Sequence, residues 1–163
     1  MASRRSLLLS GAAAFSAFAL RGMMSPVSAA EGKFEVTKTP DEWKAALTSE
    51  QFSVLREEGT ERPFTSPLET EKRTGTFHCA GCDQTVYSSE TKFESGTGWP
   101  SFWEDIKGGV GFKEDSSFFM TRTECHCSRC GGHLGHVFDD GPQPTGKRHC
   151  INGVAMTFKP AAA

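Results

Sequence analysis

Two C-x-x-C pairs, Cys79-Ala80-Gly81-Cys82 and Cys127-Ser128-Arg129-Cys130, constrain this chain more than any other feature of it. Four thiolates about 2.3 Å from one ion make a closed tetrahedral zinc site, and small residues within or after each pair suit the turn that such a site needs. The 44 residues between the pairs exceed the roughly 15 to 20 of a compact zinc ribbon. A metal held here would clamp two distant hairpins together instead of nucleating one finger. With sulfur in all four positions it has no open coordination site, so its work would be structural. Two other chemistries share the pattern: disulfides, in an exported chain, and a redox-active dithiol.

Residues 1–30 read as an export signal. Arg4 and Arg5 precede an apolar, small-residue stretch from Leu7 to Leu20, and Val27-Ser28-Ala29 offers a small-x-small cleavage pattern. The stretch is too short and too rich in alanine and serine for a comfortable membrane span. It is therefore expected to be cleaved, leaving residues 31–163 as one domain with no stable membrane anchor. The paired arginines of SRRSLLL resemble a twin-arginine signal, which implies export of an already folded protein. That route suits a metalloprotein whose thiolates are loaded in a reducing compartment. The expected location is the bacterial periplasm, and an organelle is the alternative, because the segment contains no Asp or Glu. Without it the domain carries 15 basic against 20 acidic residues, a balance that argues against a nucleic-acid partner.

Short helices are expected first. Thr39-Pro40-Asp41-Glu42 has an N-cap, a proline at the first helical position and a capping box, and Trp43, Ala46 and Leu47 follow at i, i+3 and i+4. Thr48-Ser49-Glu50-Gln51 repeats the pattern ahead of Phe52, Val54 and Leu55, with a stop near Gly59. From Gly75 onward the runs are short and rich in aromatic or β-branched residues: TFHC, TVYSS, GGVGF, SFFMTRTECHC, GHVFDD, RHCI and VAMTFK. In the longest, alternation sets Phe119, Thr121, Thr123, Cys125 and Cys127 on one strand face and Met120, Arg122, Glu124 and His126 on the other.

Cys150 is the one cysteine of the last hundred residues in neither pair, apart from Cys125. It sits in RHCING, with Arg148 two residues before and Asn152 two after. In an extended segment all three share a face, and a cation beside a thiol favours the nucleophilic thiolate. The plain alternative is a buried free cysteine, a fate that suits Cys125 as well. Two histidines, His133 and His136, follow the second pair in a short glycine-containing segment, offering imidazole in either protonation state near neutral pH. The run SGTGWPSFW places large aromatics on a tight turn.

These segments together resemble the B-type methionine sulfoxide reductase family. The likeness runs from Trp43 through Phe158 and rests on LREEGTERPF, CAGC, KFESGTGWPSFW, CSRC with GGHLGHVFDDGP, and RHCING. It implies a mainly β fold, with two antiparallel sheets in a tent-like arrangement, short N-terminal helices and a structural zinc clamp. Cys79, Cys82, Cys127 and Cys130 would hold Zn2+, and Cys150 would be the nucleophile, with His133, His136, Arg148 and Asn152 as its catalytic neighbours. Trp99 would line the pocket for the substrate's methyl group. Phe102 and Asp140 are placed with it among the substrate-binding residues, Asp140 in an orienting role.

The implied reaction is thiol-dependent reduction of methionine-R-sulfoxide through a cysteine sulfenic acid. The implied partners are oxidised methionine in proteins or peptides and a thioredoxin-like or other external thiol, with the chain acting as a monomer. Many members carry a resolving cysteine in the glycine-tryptophan run, where this chain has Thr97. Direct recycling by an external thiol is therefore expected. His149 stands where an aromatic residue is more usual. Outside the resemblance, a non-catalytic zinc module that binds a protein partner and a disulfide oxidoreductase working through a C-x-x-C pair are the competing functions.

Overall fold

The computed structural model describes residues 34–116 and 121–162. The export segment read over 1–30 and the face assignments of Phe119 and Met120 lie outside them. Both capping boxes form. Helix α1, Pro40–Ala46, starts where Thr39 Oγ1 accepts from the Glu42 amide at 3.3 Å and the Glu42 carboxylate accepts from the Thr39 amide at 2.7 Å. Helix α2, Ser49–Glu57, repeats this with Thr48 and Gln51 at 3.2 and 3.1 Å. Such caps contribute about 1 kcal/mol each, enough to start helices too short to persist alone. Trp43, Leu47, Val54 and Leu55 are buried beneath them, whereas Ala46 is exposed. Arg56 covers the Trp43 ring at 4.8 Å and donates to the Cys130 carbonyl at 3.0 Å, pinning the helical pair to the second cysteine turn.

Among the described residues nine strands follow: β1 Gly75–Cys79, β2 Thr85–Ser88, β3 Lys92–Phe93, β4 Ser101–Phe102, β5 Val110–Asp115, β6 Arg122–Cys127, β7 His133–Phe138, β8 Arg148–Ile151 and β9 Met156–Pro160. Each run expected to form a strand contains one. At two residues each, β3 and β4 are too short to show a period of two. The strands form two antiparallel sheets, β2-β1-β9 and β3-β4-β8-β7-β6-β5, so the expected mainly β architecture is found. Cys79 ends β1 with Cys82 on the turn after it, and Cys127 ends β6 with Cys130 on the turn after it, so each sheet supplies one half of the sulfur cluster. No helix among the described residues is long and apolar enough to cross a membrane.

The interior corrects one expectation. Phe102, expected among the substrate-binding residues, is fully buried, stacked on Tyr87 at 4.3 Å and edge-on to Phe77 at 5.0 Å, so it packs in the core instead of lining the cleft at Cys150. The cause is register: Phe102 pairs with His149, whose side chain points into the core, while the adjacent Cys150 points away from it. Cys125 also lies in the core, as the plain alternative has it. The Tyr87 hydroxyl lies 3.2 Å from Cys125 Sγ and 3.1 Å from His149 Nδ1. Burial pushes the Cys125 thiol up to about 12. His149, anomalous in sequence, thus gives the buried tyrosine a polar partner that a hydrocarbon ring could not.

Burial pulls the His149 imidazole down to about 4, from an ordinary 6.5. A depressed histidine stabilises the fold fully above the unfolded pKa, and that contribution is lost as pH falls through the folded one. Between pH 6.5 and 4 the native protein should therefore lose roughly 2 kcal/mol through this group. Urea midpoints of the protein and of His149→Phe over that range check this, the variant showing the shallower decline.

Candidate functional site

The four sulfurs of Cys79, Cys82, Cys127 and Cys130 lie within 4.8 Å of one another. Cys79 and Cys130 Sγ are 3.7 Å apart, and Cys82 and Cys127 Sγ 3.5 Å. Bonds of about 2.3 Å to a tetrahedral ion set sulfurs about 3.8 Å apart, whereas a disulfide holds them near 2.05 Å. The spacing fits a metal ion, and all six cysteines are free of disulfides. Arg129 donates to the Cys82 carbonyl at 3.2 Å and pairs with Glu35 at 2.8 Å, tying both turns to the segment that precedes α1.

Away from the cluster, strand register assembles a row of side chains. Lys113 on β5 pairs with Glu124 on β6, Glu124 with His136 on β7, His136 with Cys150 on β8, and Cys150 with Ser101 on β4. Directly opposed residues point to the same side, their Cβ atoms about 4.5 to 5.5 Å apart. His133, three residues before His136, belongs on the other face of a regular strand. Between β6 and β7 the pairing steps from Cys125–Gly135 to His126–His133, so β7 carries one extra residue there. This bulge turns His133 back toward His136, with ring centroids 5.3 Å apart. Gly135 is required beside it, because a Cβ there would collide with the Cys150 carbonyl.

Cys150 opens into a cleft of about 170 Å3 lined by Thr60, Trp99, Arg122, Gly135, His136, Phe138 and Asn152. The structure thus brings Cys150, Trp99, His136 and Asn152 together. Trp99 Nε1 donates to the Glu61 carbonyl at 3.1 Å, which fixes the indole. Asn152 accepts from the Glu61 amide and donates to the Leu134 carbonyl, both at 3.0 Å, so its amide ties the strand to the loop above the cleft. Arg148 is gripped by Asp140 at 2.8 and 2.9 Å and lies 4.5 Å over the Phe138 ring. Asp140 is itself outside the cleft lining and orients the guanidinium. His133 lines an adjoining cavity, which shares Thr60, Arg122 and His136 with the first.

One electrostatic expectation is reversed. Burial raises the Cys150 thiol above its ordinary value, and the opposing pull of the Thr97 hydroxyl, 3.9 Å away, and of Arg148 does not overcome it. At rest Cys150 is a thiol, not the thiolate that a nearby cation suggests, because desolvating the anion outweighs one partly screened charge. Burial also holds His136 below its usual range despite the Asp115 carboxylate 2.8 Å from its Nε2, and it brings His133 down to about 4. Both imidazoles are neutral at pH 7.

Comparison with known proteins fits this geometry. The SelR domain family model matches residues 47–160. The chain is 59% identical to the peptide methionine sulfoxide reductase MsrB of Methanosarcina barkeri, over 76% of this chain and 88% of the relative. It is 53% identical to that of Leptospira interrogans, over 77% and 97%. A chloroplastic rice relative, peptide methionine sulfoxide reductase B1, is 48% identical over 77% of this chain and 59% of its own length. The chain belongs to the methionine sulfoxide reductase B family.

Within that family frame, the structure adds residues that the sequence did not single out. Glu61 ties the loop above the cleft to the turn that follows β8, its carboxylate accepting from the Gly153 and Val154 amides at 2.5 and 2.9 Å. Asp115 holds both His136 and Arg122, and Glu124 holds His133 at 2.6 Å. A loop glutamate leaves no periodic trace, but Glu124 did carry a signal, as an acid in the middle of a strand whose next residue is a core cysteine. The thiol electrostatics carry a test. Removing the cation in Arg148→Gln should raise the Cys150 pKa further, since Arg148 acts to lower it. Iodoacetamide alkylation of Cys150 across pH should then rise at higher pH than in the unsubstituted protein and be slower at pH 7.

Proposed function

We propose that this protein reduces methionine-R-sulfoxide in proteins or peptides to methionine, with Cys150 as nucleophile and Zn2+ as a structural ion on Cys79, Cys82, Cys127 and Cys130. The observation that carries the reading is the convergence of a thiol, an indole and a neutral imidazole on one small cleft. A binding module has no need of that set.

The chemistry follows from the groups present. Sulfoxide sulfur becomes a good electrophile only as its oxygen gains a proton. With His136 Nε2 committed to Asp115, Nδ1 is left to take the thiol proton and pass it to the sulfoxide oxygen. The thiolate attacks the substrate sulfur, forming an S–S bond, and the protonated oxygen then passes from that sulfur to Cys150 Sγ as the S–O and S–S bonds break. Cys150 is oxidised by two electrons to the sulfenic acid, methionine is released, and the proton lost by the thiol is the one the oxygen gains. An external thiol pair then reduces the sulfenic acid, leaving a disulfide and water. Trp99 walls the cleft for the methyl group, while the polar groups opposite take the oxygen, and this asymmetry selects one epimer.

Recycling without an internal partner is supported by Thr97 beside Cys150 and by Cys125 in the core on the far side of β8. A thioredoxin-like reductant acting on a protein exported by residues 1–30 completes the reading. Metal of the zinc type would add cross-sheet stability and no chemistry.

Cys150→Ser should abolish reduction of R-sulfoxide in a peptide assay while metal content stays at one ion per chain. Mass spectrometry after one turnover without reductant should find a single added oxygen on Cys150. A Cys125–Cys150 crosslink would refute direct recycling. Cys130→Ser should lose the metal and lower the melting temperature by about 10 °C or more, as calorimetry with metal analysis would record.

A further inference from the structure

Resting on the reductase reading, we propose that Glu124, held by Lys113, is a positioning residue that fixes His133 as the Nδ1-protonated tautomer, keeping Nε2 as an acceptor for the oxygen once it is protonated. Glu124 is 3% exposed, and a carboxylate so buried persists only with partners. Its Oε1 lies 2.6 Å from His133 Nδ1, and its Oε2 is ion-paired with Lys113 Nζ at 2.9 Å without hydrogen-bond geometry. Lys113 reaches outward to Glu58 at 2.8 Å, so a line of alternating charge runs from the surface to the imidazole. His126 Nδ1 is 4.0 Å from Oε2, and Glu57, Glu114, Asp115 and Arg122 complete the charged lining of the cavity.

A carboxylate can only accept, so a neutral His133 beside it must carry its proton on Nδ1. Its Nε2 is then a bare acceptor. That nitrogen is buried and has no hydrogen-bond partner among the described residues. Leaving such an atom unmatched is destabilising, and the fold bears that cost beside the reaction cleft. The two histidines are held by opposite nitrogens, Asp115 on His136 Nε2 and Glu124 on His133 Nδ1. One is thus set to supply a proton through Nδ1 and the other to receive a hydrogen bond through Nε2.

The reaction contains a group that turns from acceptor to donor. The sulfoxide oxygen accepts at first, and becomes an O–H needing an acceptor as soon as it has taken its proton. The cavity that His133 lines borders the Cys150 cleft, with Thr60, Arg122 and His136 lining both, so the acceptor lies next to the space where the new donor forms. An interaction made only after proton transfer stabilises the transition state and not bound substrate. It should therefore appear in kcat and leave KM alone.

Lys113 makes the test specific. In Glu124→Gln the ammonium charge, 2.9 Å from Oε2, attracts the amide oxygen and repels the NH2 group, which then faces His133 Nδ1. That nitrogen must then accept, and the proton moves to Nε2. Nitrogen-detected NMR of the imidazoles should show Nδ1–H at His133 in the zinc-loaded protein and Nε2–H in Glu124→Gln. With R-sulfoxide peptide, kcat of the variant should fall by about 100-fold, with KM within about twofold and zinc content and melting temperature nearly unchanged. An Nε2–H tautomer in the unsubstituted protein would overturn the proposal whether or not the variant folds. So would a variant with inverted tautomer and undiminished kcat. Absence of R-sulfoxide reduction by the unsubstituted protein would instead sink the reductase reading beneath it.

Discussion

The pairing of β7 with β8 in one register is the constraint on which the rest of this structure depends. It sets His136 directly opposite Cys150 and Phe138 opposite Arg148. A slip of one residue would send every one of these side chains to the other face. The thiol would then enter the core beside Tyr87, and His149 would face the cleft. Buried residues on the core side, Ile151 and Leu134 among them, hold the register, and Gly135 lets the strands approach where a side chain would not fit.

The bulge in β7 builds on that register. Two histidines three residues apart cannot share a face of a flat strand, yet here their rings meet. One inserted residue achieves this at the cost of a local break in the ladder. The sulfur cluster lies within a few residues of the bulge and anchors the same hairpin to the smaller sheet. Stability and geometry are thus coupled, because the clamp that joins the sheets also fixes the start of the strand that carries both imidazoles.

Burial governs the electrostatics. It keeps Cys150 a thiol and both imidazoles neutral, so the resting site carries little charge of its own despite the carboxylates and cations around it. A neutral thiol beside a neutral base holds the one proton that the proposed chemistry needs and releases it only as the sulfoxide oxygen becomes basic. Carboxylates at one remove, Asp115 and Glu124, then determine which nitrogen of each ring is in play.

Much of this was legible along the chain. The capping boxes at Thr39 and Thr48, the strand-like runs and the matched cysteine pairs all depend on neighbours within a few residues, and all were found where local chemistry puts them. The shared face of Arg148, Cys150 and Asn152 needs only the period of a strand. Tertiary structure decided what no local rule contains: that Phe102 packs inward on Tyr87, that the Cys150 thiol is raised instead of lowered, that Glu61 ties the loop over the cleft to the turn after β8, and that His133 crosses to the face of His136. Register between distant strands and removal of water from between them are properties of the assembled sheet, so a residue's partners and its charge state are settled only when the sheet closes.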